Sequence, residues 1–165
     1  MRQIEIRNKW VSLGESSVVK DTEGNDLLKV KGKFFSIRRR KFIYDMNDNL
    51  IYQVRNRFWN FFRHACFVFD KDEKPVATLE TKFLTLHDHY NIDCALGNLV
   101  IRGNILGFDY HIYLNDKEVG HVARHISLRD SFTLTLDDDQ DYYFFVALVI
   151  AIDNIVDMKR NQYNN

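Results

Sequence analysis

Seven basic side chains crowd into thirteen residues: Lys29, Lys31, Lys33, Arg38, Arg39, Arg40 and Lys41. No acid interrupts them between Asp26 and Asp45, and Arg55, Arg57 and Arg63 follow. Arginine offers a phosphate a planar fork and lysine offers it a point charge. If paired strands gather Lys29, Lys31, Lys33, Arg38, Arg39, Arg40, Lys41, Arg55 and Arg57 into one patch, its chemistry is capture of an anionic headgroup. Near an anionic bilayer each such cation contributes about 1 kcal/mol. The bland alternative is a set of solvated strand faces, partly cancelled by acids elsewhere. Arg38, Arg39 and Arg40 are consecutive, so on a strand they point both ways unless a bulge intervenes. Phe34, Phe35, Phe58, Trp59, Phe61 and Phe62 stand near these cations and suit lipid contact or base stacking. Their commoner use is as core or as plugs at the end of a barrel.

Other chemistries find less material. His87 and His89 form HDH around Asp88, and His121 and His125 are four apart, but no third or fourth ligand has a metal-site spacing. DMNDN at Asp45 resembles a calcium loop, yet its sixth position is Leu50 rather than Gly and its twelfth is Asn56 rather than Glu. It reads as a hairpin turn. There is no G-x-S-x-G, no phosphate loop and no dinucleotide fingerprint. GNILG (Gly103–Gly107) fits a hairpin. Asp153 and Asp157, four apart, suit a carboxylate pair, but capping or contact with basic strands near a barrel mouth explains them too. No catalytic residue, metal or cofactor is therefore expected.

Composition narrows the class. The chain has 165 residues, thirteen Phe, eight Tyr, two Trp and one Pro, enough for one packed domain and unlike a disordered chain. Cys66 and Cys94 lie in no zinc spacing and read as free thiols. The N-terminus lacks an apolar signal segment, so a cytoplasmic location, with peripheral attachment at a membrane, is the expectation. Formal net charge is zero, but it is unevenly spread. Leu27–Phe69 holds ten Lys/Arg against two Asp, a net of +8, and Ile126–Asp157 holds Arg129 against seven Asp, a net of −6.

The elements that must position these residues are short strands and one helix. Tyr142–Ile152 is eleven residues with no polar atom beyond two tyrosine hydroxyls. Helical spacing continues through Ile155 and Val156, and the core positions are Tyr142, Phe145, Val146, Leu148, Val149, Ile152 and Asp153. Asp137, Asp138, Asp139 and Asp141 offer an N-cap, and Lys159 and Arg160 suit the C-terminal end. A span needs about 20 apolar residues, so no transmembrane segment is expected. A helix apolar on all sides has to be enclosed instead. Turn signals about every ten residues mark twelve strands from Gln3–Arg7 to Phe132–Leu136, with Arg57–Phe62 read as irregular. The expected fold is mainly β: a closed antiparallel barrel of about twelve strands around a buried hydrophobic C-terminal helix. A single domain over 1–160 and a loose tail at 161–165 complete the reading.

The stretch from VVKDTEGNDLLKVKGKFFSIRRRKFIYD through IRGNILGFDYHI and VGHVARHISLRDSFTLTL to DYYFFVALVIAIDNI resembles the LURP-one-related family. That family is grouped with tubby C-terminal and phospholipid scramblase domains. KGKFFSIRRRKFIYD (Lys31–Asp45) and the terminal helix with Asp153 carry the resemblance best. It implies a helix-filled barrel and, by type only, phosphoinositide binding at basic wall residues. Three functions are then in play: a non-enzymatic binding module for anionic lipid headgroups, a protein-interaction or regulatory domain with a protein partner, and scramblase-like lipid handling. Nucleic acid is not a favoured partner.

Overall fold

Alternating side chains and frequent turns produce twelve strands. They are β1 (Arg2–Arg7), β2 (Ser17–Asp21), β3 (Asp26–Gly32), β4 (Lys41–Tyr44), β5 (Leu50–Trp59) and β6 (Arg63–Asp70), then β7 (Pro75–Glu80), β8 (His89–Cys94), β9 (Leu99–Asn104), β10 (Asp109–Leu114), β11 (Lys117–His125) and β12 (Ser131–Leu136). One helix, α1 (Tyr142–Tyr163), follows. This computed structural model describes residues 1–7, 17–32, 40–59, 63–80, 89–125 and 131–163. Of 7, 57–59, 63, 64, 125 and 159–163 it describes only the backbone.

Every strand pairs antiparallel with its sequence neighbour, and β1 pairs with β12 over six residues, Arg2↔Leu136 to Arg7↔Ser131, which closes the barrel. Closure leaves no free sheet edge. Inward positions recur with period two, as in Ile4 and Ile6 of β1, Leu28 and Val30 of β3, and Leu134 and Leu136 of β12. Arg57–Trp59 are not irregular: they continue β5 and pair with Ala65, His64 and Arg63. Aromatic residues suit such a pleated strand, and β6 supplies a full ladder opposite them.

A twelve-stranded barrel is wider than its own side chains can fill, and α1 supplies the filling. Asp141 caps it, accepting the backbone N–H of Tyr143 at 3.0 Å and of Phe144 at 3.4 Å. Tyr52 donates to the same carboxylate at 2.7 Å, tying the helix start to β5. Every residue from Phe144 to Val156 is buried. A fully buried Leu, Val, Ile or Phe contributes about 1.5–3 kcal/mol, so this helix is a large share of the core. Burial runs past the apolar stretch and takes in Asp153 and Asn154. No helix among the described residues is long and apolar enough to cross a membrane.

Candidate functional site

Strand parity sorts the basic residues. On β3, Leu28 and Val30 face inward, so Lys29 and Lys31 share the outer face. Asp48, on the β4–β5 turn, lies between them, 3.1 Å from Lys29 Nζ and 3.4 Å from Lys31 Nζ. The bonds from Lys29 and then Lys31 hold the Asp48 carboxyl below its usual range. Lys31 also stands over the Tyr44 ring, 4.7 Å from its centre. Arg55 projects outward from β5. Its Nε and Nη2 donate to Gln53 Oε1 at 3.2 and 2.7 Å, and Nη2 reaches Glu73 at 2.6 Å. The guanidinium lies over Phe69 at 4.5 Å. Lys29, Lys31 and Arg55 are therefore gathered on one outer wall over β3–β5.

Lys41 is not on that wall. Ile43 faces inward on β4, so Lys41, two residues earlier, does too. Its side chain is only 16% exposed, and Nζ lies 3.8 Å from Asp153 on the buried helix. Arg40 stands at the head of β4, and its Nε is buried with no hydrogen-bond partner among the described residues. Lys33, Arg38, Arg39 and the side chain of Arg57 lie outside the described residues, as do Phe34, Phe35, Phe61, Phe62 and the HDH histidine His87.

Around Asp153 the barrel interior is polar. Asn154 donates to Asn56 at 3.3 Å, and Asn56 donates to Met158 Sδ at 3.5 Å. Tyr110 is fully buried from the β10 side, its hydroxyl has no hydrogen-bond partner among the described residues, and burial plus the Asp153 charge raise its pKa. Burial pushes the Cys66 thiol up to about 12, offset in part by a bond with Asn154. Sequence reading passed over Tyr110, Asn56 and Asn154, although inward strand parity marks the first two. A small, mainly apolar slot between β7, β8, β9 and the helix has about 30 Å³ of free volume, about the room of one or two waters.

A second polar group stands on β10 and β11. The His111 and His121 rings stack with centres 4.4 Å apart, and each meets a carboxylate, Glu118 or Asp109. The stacking partner of His121 comes from the neighbouring strand, His111 opposite it in register. Among the described residues no group of three or more His, Cys, Asp or Glu is arranged to hold a metal.

Taken together, the fold and its charged outer wall define a helix-filled, closed β-barrel domain, consistent with a non-enzymatic role. The sequence profile described as LURP-one-related matches residues 2–153, and the chain belongs to that family. It is similar to the protein LURP-one-related 15 of Arabidopsis thaliana, 22% identical over 170 residues, covering 91% of this chain and 78% of that one. It also resembles the X-ray structure of an Arabidopsis thaliana protein at 19% identity and a TM-score of 0.61, covering 93% of this chain and 90% of the other. That second likeness speaks to the fold alone.

Proposed function

We propose that this protein is a non-enzymatic binding module whose outer wall over β3–β5 takes a phosphorylated anionic lipid headgroup. One observation carries the reading: Lys29, Lys31 and Arg55 stand on one outer wall, and their counterions, Asp48 and Glu73, are exposed. Asp48 and Glu73 are 58% and 67% exposed. Lys31–Asp48, exposed on both sides at 46% and 58%, contributes about 0–1 kcal/mol, so an incoming phosphate displaces that carboxylate at little cost, while Lys29 and Arg55 keep 22% and 17% of their side chains exposed. Three cations against two carboxylates leave the wall positive, and Arg40 adds a guanidinium beside it. On this reading the protein works in the cytoplasm, peripheral to a membrane.

Co-flotation with neutral, anionic and phosphoinositide-containing vesicles tests it. Binding is expected only to anionic vesicles, falling about tenfold or more between 50 and 150 mM salt. Lys29→Glu/Lys31→Glu is the variant of choice, because reversing Lys41 would place two acids side by side inside the barrel. If that variant floats as well as the parent, the reading is wrong.

One observation favours the protein-interaction alternative. Phe42, Phe67 and Phe69 stand on the outward faces of β4 and β6, half-buried, and Arg plus aromatics are the residues that enrich interface cores. A soluble partner captured in pull-down, lost on Phe67→Ser, with no vesicle binding, would establish it. Scramblase-like handling needs the apolar helix against lipid, and the enclosure of Phe144–Val156 lends that no support.

A further inference from the structure

Register places a row of cationic and titratable side chains on the outer wall of β8–β11. His89 lies opposite Arg102, Arg102 opposite His111, and His111 opposite His121. All four are on the outer face, and at about 4.8 Å between strands the row runs about 14 Å. Thr135 and Gln3 continue it without charge. The two central imidazoles stack at 4.4 Å with planes 25° apart. His111 Nδ1 is 2.8 Å from Glu118 and His121 Nε2 is 3.2 Å from Asp109. A carboxylate only accepts, so these ring nitrogens carry the protons. Glu118 also accepts from Tyr113 at 3.3 Å, and Arg102 covers the Tyr113 ring at 4.6 Å. The bond from His111 holds the Glu118 carboxyl below its usual range, so Glu118 stays charged in weak acid.

The row reverses sign with pH. With neutral imidazoles, Arg102 faces Glu118 and Asp109, one cation against two anions, a net of −1. Histidine changes charge between about pH 5 and 8. With His89, His111 and His121 protonated, four cations face two anions, a net of +2. Asp93, Glu5 and Arg124 lie on these strands and on β1, outside the row, and Glu80 stands on the outer face of β7, diagonal to His89.

We propose that this wall is an acid-triggered docking surface for an anionic bilayer. The row stands on a convex wall, which suits a charged surface rather than a ligand held in a cleft. A protein interface would want an apolar centre. The exposed large apolar side chains among the described residues, Met1, Val18, Met46, Leu96 and Leu106, are all outside the row. The surface adds acid control to the lipid-binding reading above, yet it is a separate site, its nearest strand, β8, three strands round the ring from β5.

Vesicles containing phosphatidylglycerol, which keeps its charge over the range, test it by co-flotation at pH 7.5 and 5.5. Partition of the parent is expected to rise about tenfold at the lower pH. His111→Gln/His121→Gln should bind as the parent does at pH 7.5 and lose most of the rise. Lys29→Glu/Lys31→Glu should lose binding at pH 7.5 and keep the rise, so failure of either site is read separately. Both histidines are at least a third exposed, and circular dichroism at both pH values checks the fold of each variant. No rise in the parent, or an equal rise in the histidine variant, overturns the proposal. So does histidine-dependent acid binding to heparin without binding to vesicles.

Discussion

Removing Lys41 alone takes a cation away from Asp153 inside the barrel. The carboxylate is 4% exposed and the ammonium 16%, so neither charge is well hydrated. Removing one member of a buried ion pair is destabilising, and Lys41→Met is expected to cost about 3 kcal/mol in urea unfolding. Lys41→Met/Asp153→Leu should recover much of that loss, because it removes both buried charges together and keeps similar volume. A double variant no better than the single one would show that the pair is not the reason. Cys66 gives a pH dependence with a definite sign. Its thiol stays protonated to about pH 12 in the fold and ionises near 9 once unfolded. Between those values the folded state holds the extra proton, so stability falls as pH rises, by about 1.4 kcal/mol per unit. Tyr110 and Tyr52, raised chiefly by burial, act in the same direction at higher pH. Urea midpoints at pH 8 and pH 10.5 should separate accordingly, and Cys66→Ala should narrow the gap.

Three hairpins are built alike, and their sequences say so. DTEGN, DMNDN and DKDEK each place an Asp first, and its carboxylate accepts the backbone N–H two and four residues on, at 2.8–3.0 Å. Each has positive φ at its fourth residue, Gly24, Asp48 or Glu73. Asp45 spends its oxygens on its own loop, which is why DMNDN is a turn and not a calcium site. The β10–β11 turn uses positive φ at both Asn115 and Asp116, 51° and 66°. Glycine takes that conformation freely, so Asp116→Gly is expected to stabilise by about 0.5 kcal/mol, read as a higher thermal midpoint. Turns of this kind made the twelve strands legible, and period-two burial made Lys29 and Lys31 neighbours. The same parity places Lys41 inside, and it was readable from Ile43 alone. Bulges are what the sequence hides. From its turn alone, His111 would oppose Gly120; a bulge between Ile112 and Tyr113 moves it to His121. The histidine stack depends on that one-residue slip, and no spacing in the chain announces it.

Across the whole molecule, the opposed charges of the two halves of the sequence do not become two opposed faces. Asp153, from the acidic third, goes inside to Lys41; Asp137 pairs with Lys117 at 2.9 Å, and Asp138 meets the N-terminal amine at 2.7 Å. Asp141 turns to the helix start. What survives is local: a positive wall at β3–β5 and a wall of changeable sign at β8–β11. Both depend on a rigid ring, and the ring depends on the helix, because twelve strands of inward apolar residues have nothing else to pack on. Opening locally enough to expose Phe144–Val156 would mean parting the barrel, so these amides should exchange hydrogen only through global unfolding. Their exchange free energies should equal the stability measured in urea, with and without anionic vesicles. Amides at the hairpin tips, Asn47 and Asp116, should exchange at far lower free energy. Helix amides exchanging well below the global value would mean that the barrel opens in its native state. If vesicles alone brought that change, the helix would be leaving the barrel for lipid, and the lipid-handling reading would replace the binding module.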